Sequence, residues 1–314
     1  TQNGIRGGSA TVHFPIWHQE IEDILVLKNN KGTEDNRVRK LDYSIQISKL
    51  FYERFIKNEE ISLFSPHDVP GLYDAFGTEG FDELYNVYER HESIPRKTIG
   101  AQELFLDLLK ERAETGRIYI MNIDHCNSHS SYLDKIEMSN LCQEITIPTK
   151  PIQHIDDPNG EIALCILSAI NIGKIKTNED LEVLCDLAVR SLDELIDYQN
   201  YPVRAAEIAT RARRSLGVGY IGLAHYLAKH GVKYEDSAAW NLVHDLTEAF
   251  QYYLIRATVN LAKEKGACEY SHRTKYGIGI LPIDTYKKEV DEIVPNNLKY
   301  DWDSLREQVK QYGV

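Results

Sequence analysis

The chain has 314 residues, 42% of them hydrophobic, and a formal net charge of −12 at pH 7. The chain has no basic tract, so it is not expected to bind nucleic acid. It has neither a run of 18 apolar residues nor a signal-peptide pattern, so it is not expected to enter a membrane. The five cysteines, an odd number at irregular spacing, do not resemble a secreted disulfide framework, so we expect reduced thiols and a cytoplasmic location.

In the first half of the chain, hydrophobic periodicity predicts strands that alternate with helices. The predicted strands are residues 10–14, 61–64 and 118–123, and the predicted helices are residues 17–27, 43–56, 81–90 and 101–115. A glycine-rich loop precedes the first strand, and Gly116 is expected to stop the last of these helices.

In the second half, strands are predicted near residues 144–148 and 161–170. The second of these is almost continuously apolar, which is typical of a strand buried on both faces. An amphipathic helix is predicted at residues 180–198, and residues 204–262 are predicted to be mostly helical. This alternation indicates an α/β fold, either a barrel or a wound sheet.

The segment Asn140-Leu141-Cys142-Gln143-Glu144 places an amide, a thiol and a carboxylate at every second position. In an extended chain these three side chains would point the same way, roughly 7 Å apart at neighbouring steps. A carboxylate can take a proton from a hydroxyl and a thiol can do redox work, so the set suits a hydroxylated substrate. The competing interpretation is that Cys142 is a small buried hydrophobe. Cys165, on a neighbouring predicted strand, favours a shared site.

Three other patterns are weaker. Residues 217–222 (GVGYIG) have dinucleotide-binding spacing, but that motif must follow a strand, and residues 205–214 are predicted to be helical, so close packing of the glycines is favoured. Residues 124–129 (DHCNSH) contain metal-ligand types without a second ligand pair, so no metal site is predicted. His13 is interpreted as a packing or surface residue.

Two further questions concern catalysis and charge. A cysteine hydrolase would need an imidazole beside Cys142. His154 is near only in sequence, and Glu144 is a poor substitute for an imidazole, so a cysteine hydrolase is disfavoured. For the pair Arg213-Arg214, a surface position, an ion pair and a place in the structural core all remain open.

Several ordered blocks resemble the catalytic barrel of the large (alpha) subunit of class I ribonucleotide reductases. The most specific blocks are residues 139–144 (SNLCQE), 148–151 (PTKP) and 159–165 (NGEIALC). Further similar blocks are residues 27–32, 63–73, 115–120, 213–219 and 279–288. The resemblance implies that residues 1–314 are the central part of the catalytic barrel domain. The implied fold is a large part of a ten-stranded α/β barrel with the catalytic cysteine on a central finger loop, plus packing helices.

The resemblance also implies the role of each matched residue. Cys142 corresponds to the thiyl-radical cysteine that abstracts the substrate 3′-hydrogen, Glu144 to the base that takes the 3′-hydroxyl proton, and Asn140 to the amide that binds the ribose. Cys165 corresponds to one half of the redox-active disulfide, whose partner lies outside the chain. Residues 6–9, which are Arg6, Gly7, Gly8 and Ser9, correspond to the loop that relays the effector's identity to the substrate.

By the same resemblance, the chain would contribute to the reduction of ribonucleoside diphosphates in deoxyribonucleotide biosynthesis for DNA replication. The regulatory cone and the C-terminal tail would lie outside it, so it is expected to be inactive alone. It would carry no cofactor of its own. Its partners would be a small (beta) subunit with a metal–radical cofactor, the remaining segments, a second large subunit, ATP or dNTP effectors with Mg, and thioredoxin or glutaredoxin. The alternative is a non-catalytic assembly fragment that binds the other subunit pieces or an effector nucleotide.

Overall fold

A computed structural model of the chain describes residues 4–5, 7–293 and 297–314. The chain divides into two compact units, the first comprising Thr1–Ser130 and Lys135–Pro148 and the second comprising Ser131–Asp134 and Thr149–Val314. Arg6, from the predicted effector loop, lies outside the described residues. None of the described helices is both long and apolar enough to span a bilayer.

The elements of the first unit alternate between strand and helix. In chain order the described elements are β1 (Thr11–Pro15), α1 (Ile21–Leu25), β2 (Asp42–Ile47), α2 (Lys49–Lys57), β3 (Glu60–Leu63), α3 (Leu72–Ala75), α4 (Phe81–Arg90), β4 (Lys97–Gly100), α5 (Ala101–Thr115), β5 (Tyr119–Asn122) and α6 (Ile123–His129). The predictions of helices at residues 81–90 and 101–115 are confirmed, and Gly116, at φ 63°, ends the second. Helix α1 is shorter than the predicted residues 17–27.

A three-stranded parallel sheet in the order β1-β2-β5 organises the first unit, and β3 and β4 form an antiparallel pair. One face of the parallel sheet is apolar, with Ile45 and Ile47 of β2 buried against residues of α1, α2 and α5. Removing such a side chain from water stabilises the fold by about 1.5–3 kcal/mol each. Helical packing therefore covers one side of the sheet, and the other side is left for polar contacts.

The prediction of one helix at residues 43–56 is wrong for residues 43–48. Residues Asp42–Ile47 form β2, and helix α2 begins only at Lys49. Isoleucine alternates with Ser44 and Gln46 in this stretch, a period of two that places the two residue types on opposite faces. The backbone of β2 pairs with both β1 and β5, and this pairing favours a strand here although the helical spacing of apolar residues extends back from α2.

The second unit is mostly helical around a two-stranded parallel sheet. Its described elements are β6 (Ile166–Asn171), α7 (Asn178–Tyr198), α8 (Arg204–Arg213), β7 (Leu216–Ile221), α9 (Leu223–Lys229), α10 (Ser237–Lys265) and α11 (Trp302–Tyr312). A reciprocal capping box between Thr177 and Asp180 fixes the start of α7. The core between β6, α7 and α10 contains Ile170, Leu181 and Phe250.

Both strands of this sheet differ from expectation. Strand β6 begins at Ile166 rather than at residue 161, because Glu161 forms only an isolated bridge with Lys150. Strand β7 lies inside the region predicted to be helical, residues 204–262. Glycine has a low strand propensity, so the two glycines of β7 conceal its strand character in the sequence; a Cβ on Gly217 would lie 2.5 Å from the terminal Cδ2 of Leu167. The GVGYIG glycines thus lie mainly within a strand rather than in the turn that follows it.

A buried ion-pair network resolves the open question about Arg213. Its Nη2 donates to Glu161 Oε2 at 2.6 Å and its Nη1 to Asp134 Oδ2 at 2.9 Å, while Lys150 and Arg273 pair with the same two carboxylates. The side chains of Arg213 and Glu161 are each only 2% exposed. Burial acts to raise the pKa of Glu161, but the hydrogen bonds from Lys150 and Arg213 outweigh it and lower the pKa below its ordinary value. Arg213 is therefore a core residue and Glu161 a buried anion.

Substituting Arg213 should destabilise the fold far more than substituting a surface arginine of the same helix. In Arg213→Met, Glu161 loses its closest cation, so we expect the free energy of unfolding to fall by about 3–5 kcal/mol. In the control, Arg211→Met, the ion pairs with Asp197 and Glu207 are exposed, and we expect a loss of about 0–1 kcal/mol. Urea unfolding of both variants measures this; equal losses would contradict a structural role for the network.

Candidate active site

The polar face of the three-stranded sheet holds the segment that carries Cys142. His13 on β1 is in register with Ser44 on β2, and Gln46 is in register with Met121 on β5. Thr11, two residues before His13, lies on the same face. Ser44 is fully buried and Gln46 is 1% exposed, so their polar groups need hydrogen-bond partners from whatever covers this face. Residues 137–145 supply partners for Ser44 Oγ and Gln46 Nε2, whereas Gln46 Oε1 has no hydrogen-bond partner among the described residues.

The loop at residues 139–145 is closed by its own side chains. Asn140 Oδ1 accepts from the backbone N–H of Ile145 at 3.0 Å, and Ser139 Oγ donates to the carbonyl of Ile145 at 2.5 Å. The N–H of Gln143 donates to the carbonyl of Asn140 at 3.2 Å and completes a turn. The prediction of a strand at residues 144–148 is therefore wrong: both backbone groups of Ile145 are already bonded, and Pro148 has no N–H to give.

Four side chains, those of Thr11, Gln46, Gln143 and His13, hydrogen-bond residues 137–145 to the sheet. Thr11 Oγ1 donates to the carbonyl of Leu141 at 2.7 Å, and Gln46 Nε2 donates to the carbonyl of Glu137 at 2.5 Å. Gln143 reaches two strands, since its Oε1 accepts from Ser44 Oγ at 3.1 Å and its Nε2 donates to the Ile120 carbonyl at 3.0 Å. The fourth contact is made by His13. The loop is thus held rigidly along its length.

His13 meets the backbone of Ser139 through Nε2, which lies 3.0 Å from the carbonyl oxygen and 3.3 Å from the amide nitrogen. Nε2 donates to the carbonyl in one tautomer and accepts from the amide in the other, because one nitrogen cannot donate and accept at once. His13 Nδ1 is buried and has no hydrogen-bond partner among the described residues. Burial lowers the pKa of His13, with the Ser139 hydrogen bond opposing it.

The two residues expected to do chemistry are left facing outward. Cys142 and Glu144 are exposed, whereas Gln143 between them is half-buried and directed to the sheet. The expectation of an extended segment with strict alternation is wrong, because Gln143 has a left-handed backbone with φ 68°. Asn140 is half-buried, and because its Oδ1 serves Ile145, its Nδ2 is the group that can donate to a ligand. A thiol, a carboxylate and an amide donor therefore stand on one anchored turn.

Exposure separates the cysteines into two classes. Cys142 and Cys165 are exposed, and these are the two to which the resemblance assigns chemistry. Burial raises the pKa of Cys126 and of Cys268, and it raises the pKa of Cys185 to about 12. A buried thiol with a raised pKa is a poor nucleophile and a poor redox group. The interpretation of Cys142 as a buried hydrophobe is therefore wrong.

The remaining predicted positions lie elsewhere. Cys165 directly precedes β6 in the second unit. Gly7, Gly8 and Ser9 are exposed and belong to no regular element. Residues 124–129 lie in helix α6, which directly follows β5, and the rings of His125 and His129 are 5.9 Å apart. In the described part of the chain, no three His, Cys, Asp or Glu side chains are grouped as metal ligands would be.

Sequence reasoning missed the residues that support the turn. The sequence predicts only a packing or surface position for His13, and the predicted helix at residues 43–56 conceals the shared face of Ser44 and Gln46. The signal that could have found them is the alternation of Ser44 and Gln46 with isoleucine, which marks a strand with one polar face.

Stability should depend on pH through His13. Because its folded pKa is lowered below the ordinary value of 6.5, the unfolded state binds more protons in this range. Its contribution is therefore fully present above about pH 6.5 and is lost as pH falls through the folded pKa. We expect His13→Gln to flatten the fall in the free energy of unfolding between pH 7.5 and pH 5, measured by urea unfolding. Substituting the exposed His67 by Gln should leave the fall intact; the same flattening there would contradict the assignment.

Comparison with known proteins gives a consistent result along the chain. The family model of the ribonucleotide reductase barrel domain matches residues 1–314. The chain is 57% identical to the ribonucleoside-diphosphate reductase subunit alpha of Haemophilus influenzae, 54% to the ribonucleoside-diphosphate reductase 1 subunit alpha of Escherichia coli K12 and 45% to the subunit alpha of Enterobacteria phage T4. Each alignment covers 100% of this chain and 42% of the relative, so the chain spans less than half the length of these proteins. Because the model matches from end to end, the chain belongs to the ribonucleotide reductase barrel-domain family.

Proposed function

We propose that this chain forms the catalytic barrel portion of a ribonucleoside-diphosphate reductase alpha subunit. The observation that carries the proposal is the anchored turn, which presents Cys142, Glu144 and the Nδ2 donor of Asn140 while Gln143 is bonded to the sheet. A radical at a thiol must be kept from water and stray thiols, and the interior of a closed ten-stranded barrel provides such a place. The polar face of β1, β2 and β5 would then line that interior.

In the proposed reaction, a thiyl radical on Cys142 takes the 3′-hydrogen of the substrate ribose. Glu144 accepts the proton of the 3′-hydroxyl, and Asn140 Nδ2 donates to a ribose hydroxyl and holds the ring in place. The 2′-hydroxyl leaves as water, and the two electrons come from a dithiol made of Cys165 and a cysteine outside this chain. The hydrogen then returns from Cys142 to C3′. The balance is one ribonucleotide and one dithiol converted to one deoxyribonucleotide, one disulfide and one water.

The proposal includes the partners that this chemistry needs. A small beta subunit with a metal–radical cofactor would supply the oxidising equivalent that makes the Cys142 thiyl. Thioredoxin or glutaredoxin would restore the dithiol in the cytoplasm, and a second alpha subunit would complete a dimer. ATP or dNTP effectors with Mg would act through residues 6–9. The chain alone would be inactive, because the second reducing cysteine and the route for the radical belong to other segments.

Activity should require both the complete assembly and the Cys142 thiol. CDP reduction is measured with this chain alone and then within a complete alpha subunit, with the beta subunit and a dithiol reductant present. We expect turnover only in the complete assembly and none in Cys142→Ser, because a serine hydroxyl does not support the radical. The control is Cys126→Ser, a half-buried thiol of the same unit, which should keep its activity. Turnover in Cys142→Ser would rule out the radical role, and a stable but inactive assembly would favour the non-catalytic alternative.

Glu144→Gln should separate catalysis from binding. The amide keeps the shape of the side chain but cannot take a proton, so we expect kcat to fall by about 10²–10⁴-fold with KM nearly unchanged. Steady-state kinetics of CDP reduction measures both constants. Glu137→Gln is the control, since it changes a carboxylate that lies in the same segment and pairs with Lys135. An unchanged kcat in Glu144→Gln would remove the general-base assignment.

A further inference from the structure

We propose that Gln143, together with Ser44, is a positioning residue that fixes Cys142 and Glu144 in their reactive orientation. This inference rests on the proposed function, because it concerns how the same turn is held during hydrogen abstraction. Gln143 would touch neither substrate nor reacting atoms. It would act through its two neighbours in sequence, each of which is attached to it by a single peptide bond.

The backbone of Gln143 adopts a conformation that is strained for glutamine. Its φ of 68° lies in the left-handed region, where residues other than glycine and asparagine are disfavoured. A glutamine in this conformation is retained only where its side chain or its surroundings compensate for the strain. The compensation visible here is the pair of hydrogen bonds made by the side-chain amide.

The amide of Gln143 bridges two neighbouring strands. Ser44 Oγ, on the central strand β2, donates to Oε1 at 3.1 Å, and Nε2 donates to the carbonyl of Ile120 on β5 at 3.0 Å. Ser44 is fully buried, so its hydroxyl gives Gln143 an immobile partner. Since both ends of the amide are bonded, the side chain cannot rotate without breaking two hydrogen bonds.

The other anchors of the loop act on either side of this point. Thr11 holds the Leu141 carbonyl, and the bonds of Ser139 and Asn140 hold Ile145. Between residues 141 and 145 the side chain of Gln143 makes the hydrogen bonds that reach the sheet. Loss of these bonds would leave the exposed Cys142 and Glu144 on a segment fixed only at its two ends.

Hydrogen abstraction is sensitive to such a loss. A reacting sulfur must lie close to its target hydrogen with the correct alignment, and a displacement of about 1 Å can cost about 10²-fold in rate. Substrate binding depends on many other contacts, so KM should change little. A change confined to kcat is therefore the signature expected of a positioning residue.

The test uses the complete alpha subunit with its beta subunit, CDP and a dithiol. We expect Gln143→Leu, which keeps most of the volume but loses both hydrogen bonds, to lower kcat about tenfold or more with KM within about twofold. The isotope effect on kcat with 3′-deuterated CDP should rise, because abstraction becomes more rate-limiting. A residue that only supported folding would change the amount of active enzyme and leave this isotope effect unmoved.

Two further variants separate the kinetic effect of losing the side-chain hydrogen bonds of Gln143 from the effect of its left-handed backbone. Gln143→Gly relieves the left-handed strain but also removes the amide, so we expect it to fold and to show the same kinetic defect. Ser44→Ala should give a smaller defect, and adding it to Gln143→Leu should make kcat no worse, because both remove one shared hydrogen bond. The control is Gln102→Leu, whose side-chain amide donates to the Phe55 carbonyl at 3.0 Å between α5 and α2, and which should retain wild-type kcat.

A second measurement does not depend on turnover. Amide hydrogen exchange of residues 141–145 should accelerate in Gln143→Leu and in Gln143→Gly and remain at the wild-type rate in Gln102→Leu. If the wild-type assembly turns over and both Gln143 variants keep the kcat and the exchange rates of the wild type, this inference alone is overturned. No turnover from the wild-type assembly would instead overturn the proposed function and with it any catalytic role for Gln143.

Discussion

The first unit depends on the need of buried polar side chains for partners. Ser44 and Gln46 stand on the inner face of β2 with almost no access to water, and an unbonded polar group there would cost about 1–3 kcal/mol. A purely apolar cover could not satisfy them. The loop at residues 137–145 satisfies Ser44 Oγ with the side-chain amide of Gln143 and Gln46 Nε2 with the backbone carbonyl of Glu137, while Gln46 Oε1 has no hydrogen-bond partner among the described residues. The same bonds that satisfy the strand fix the turn that carries Cys142, so the stability of the sheet and the geometry of the site have one origin.

In the second unit a buried carboxylate also needs partners, and cationic side chains provide them. Glu161 is buried four residues before Cys165, and its carboxylate is neutralised by Arg213 and Lys150. The backbone groups of Glu161 pair with those of Lys150, and the N–H of Ile162 donates to Ala205. The chain that leads to the exposed thiol is thereby tied to α8 before β6 begins. In both units an exposed cysteine follows closely after a segment that is tied to the rest of its unit by hydrogen bonds.

Sequence patterns predicted the elements whose stability is local and missed those decided by distant partners. Residues 81–90 and 101–115 have helical periodicity and a clear stop at Gly116, and the structure agrees. Strand β2 was mistaken for helix because the residues it pairs with lie about 30 and 75 positions away, where periodicity gives no information. The pair Cys142 and Cys165 was recognised from motifs, but the left-handed turn at Gln143 was not, since it arises from hydrogen bonds to two strands.

The contact between Thr11 and Leu141 joins residues 130 positions apart. Loops of that length close slowly relative to local structure, and parallel strands separated by whole helices add to the delay. The contacts that anchor the turn carrying Cys142 come from β1, β2 and β5, so the anchored turn requires these three strands to be in place. A chain that is misfolded or still folding would lack the sheet contacts that hold the turn with the exposed Cys142, so the geometry of the candidate site is coupled to completion of the fold.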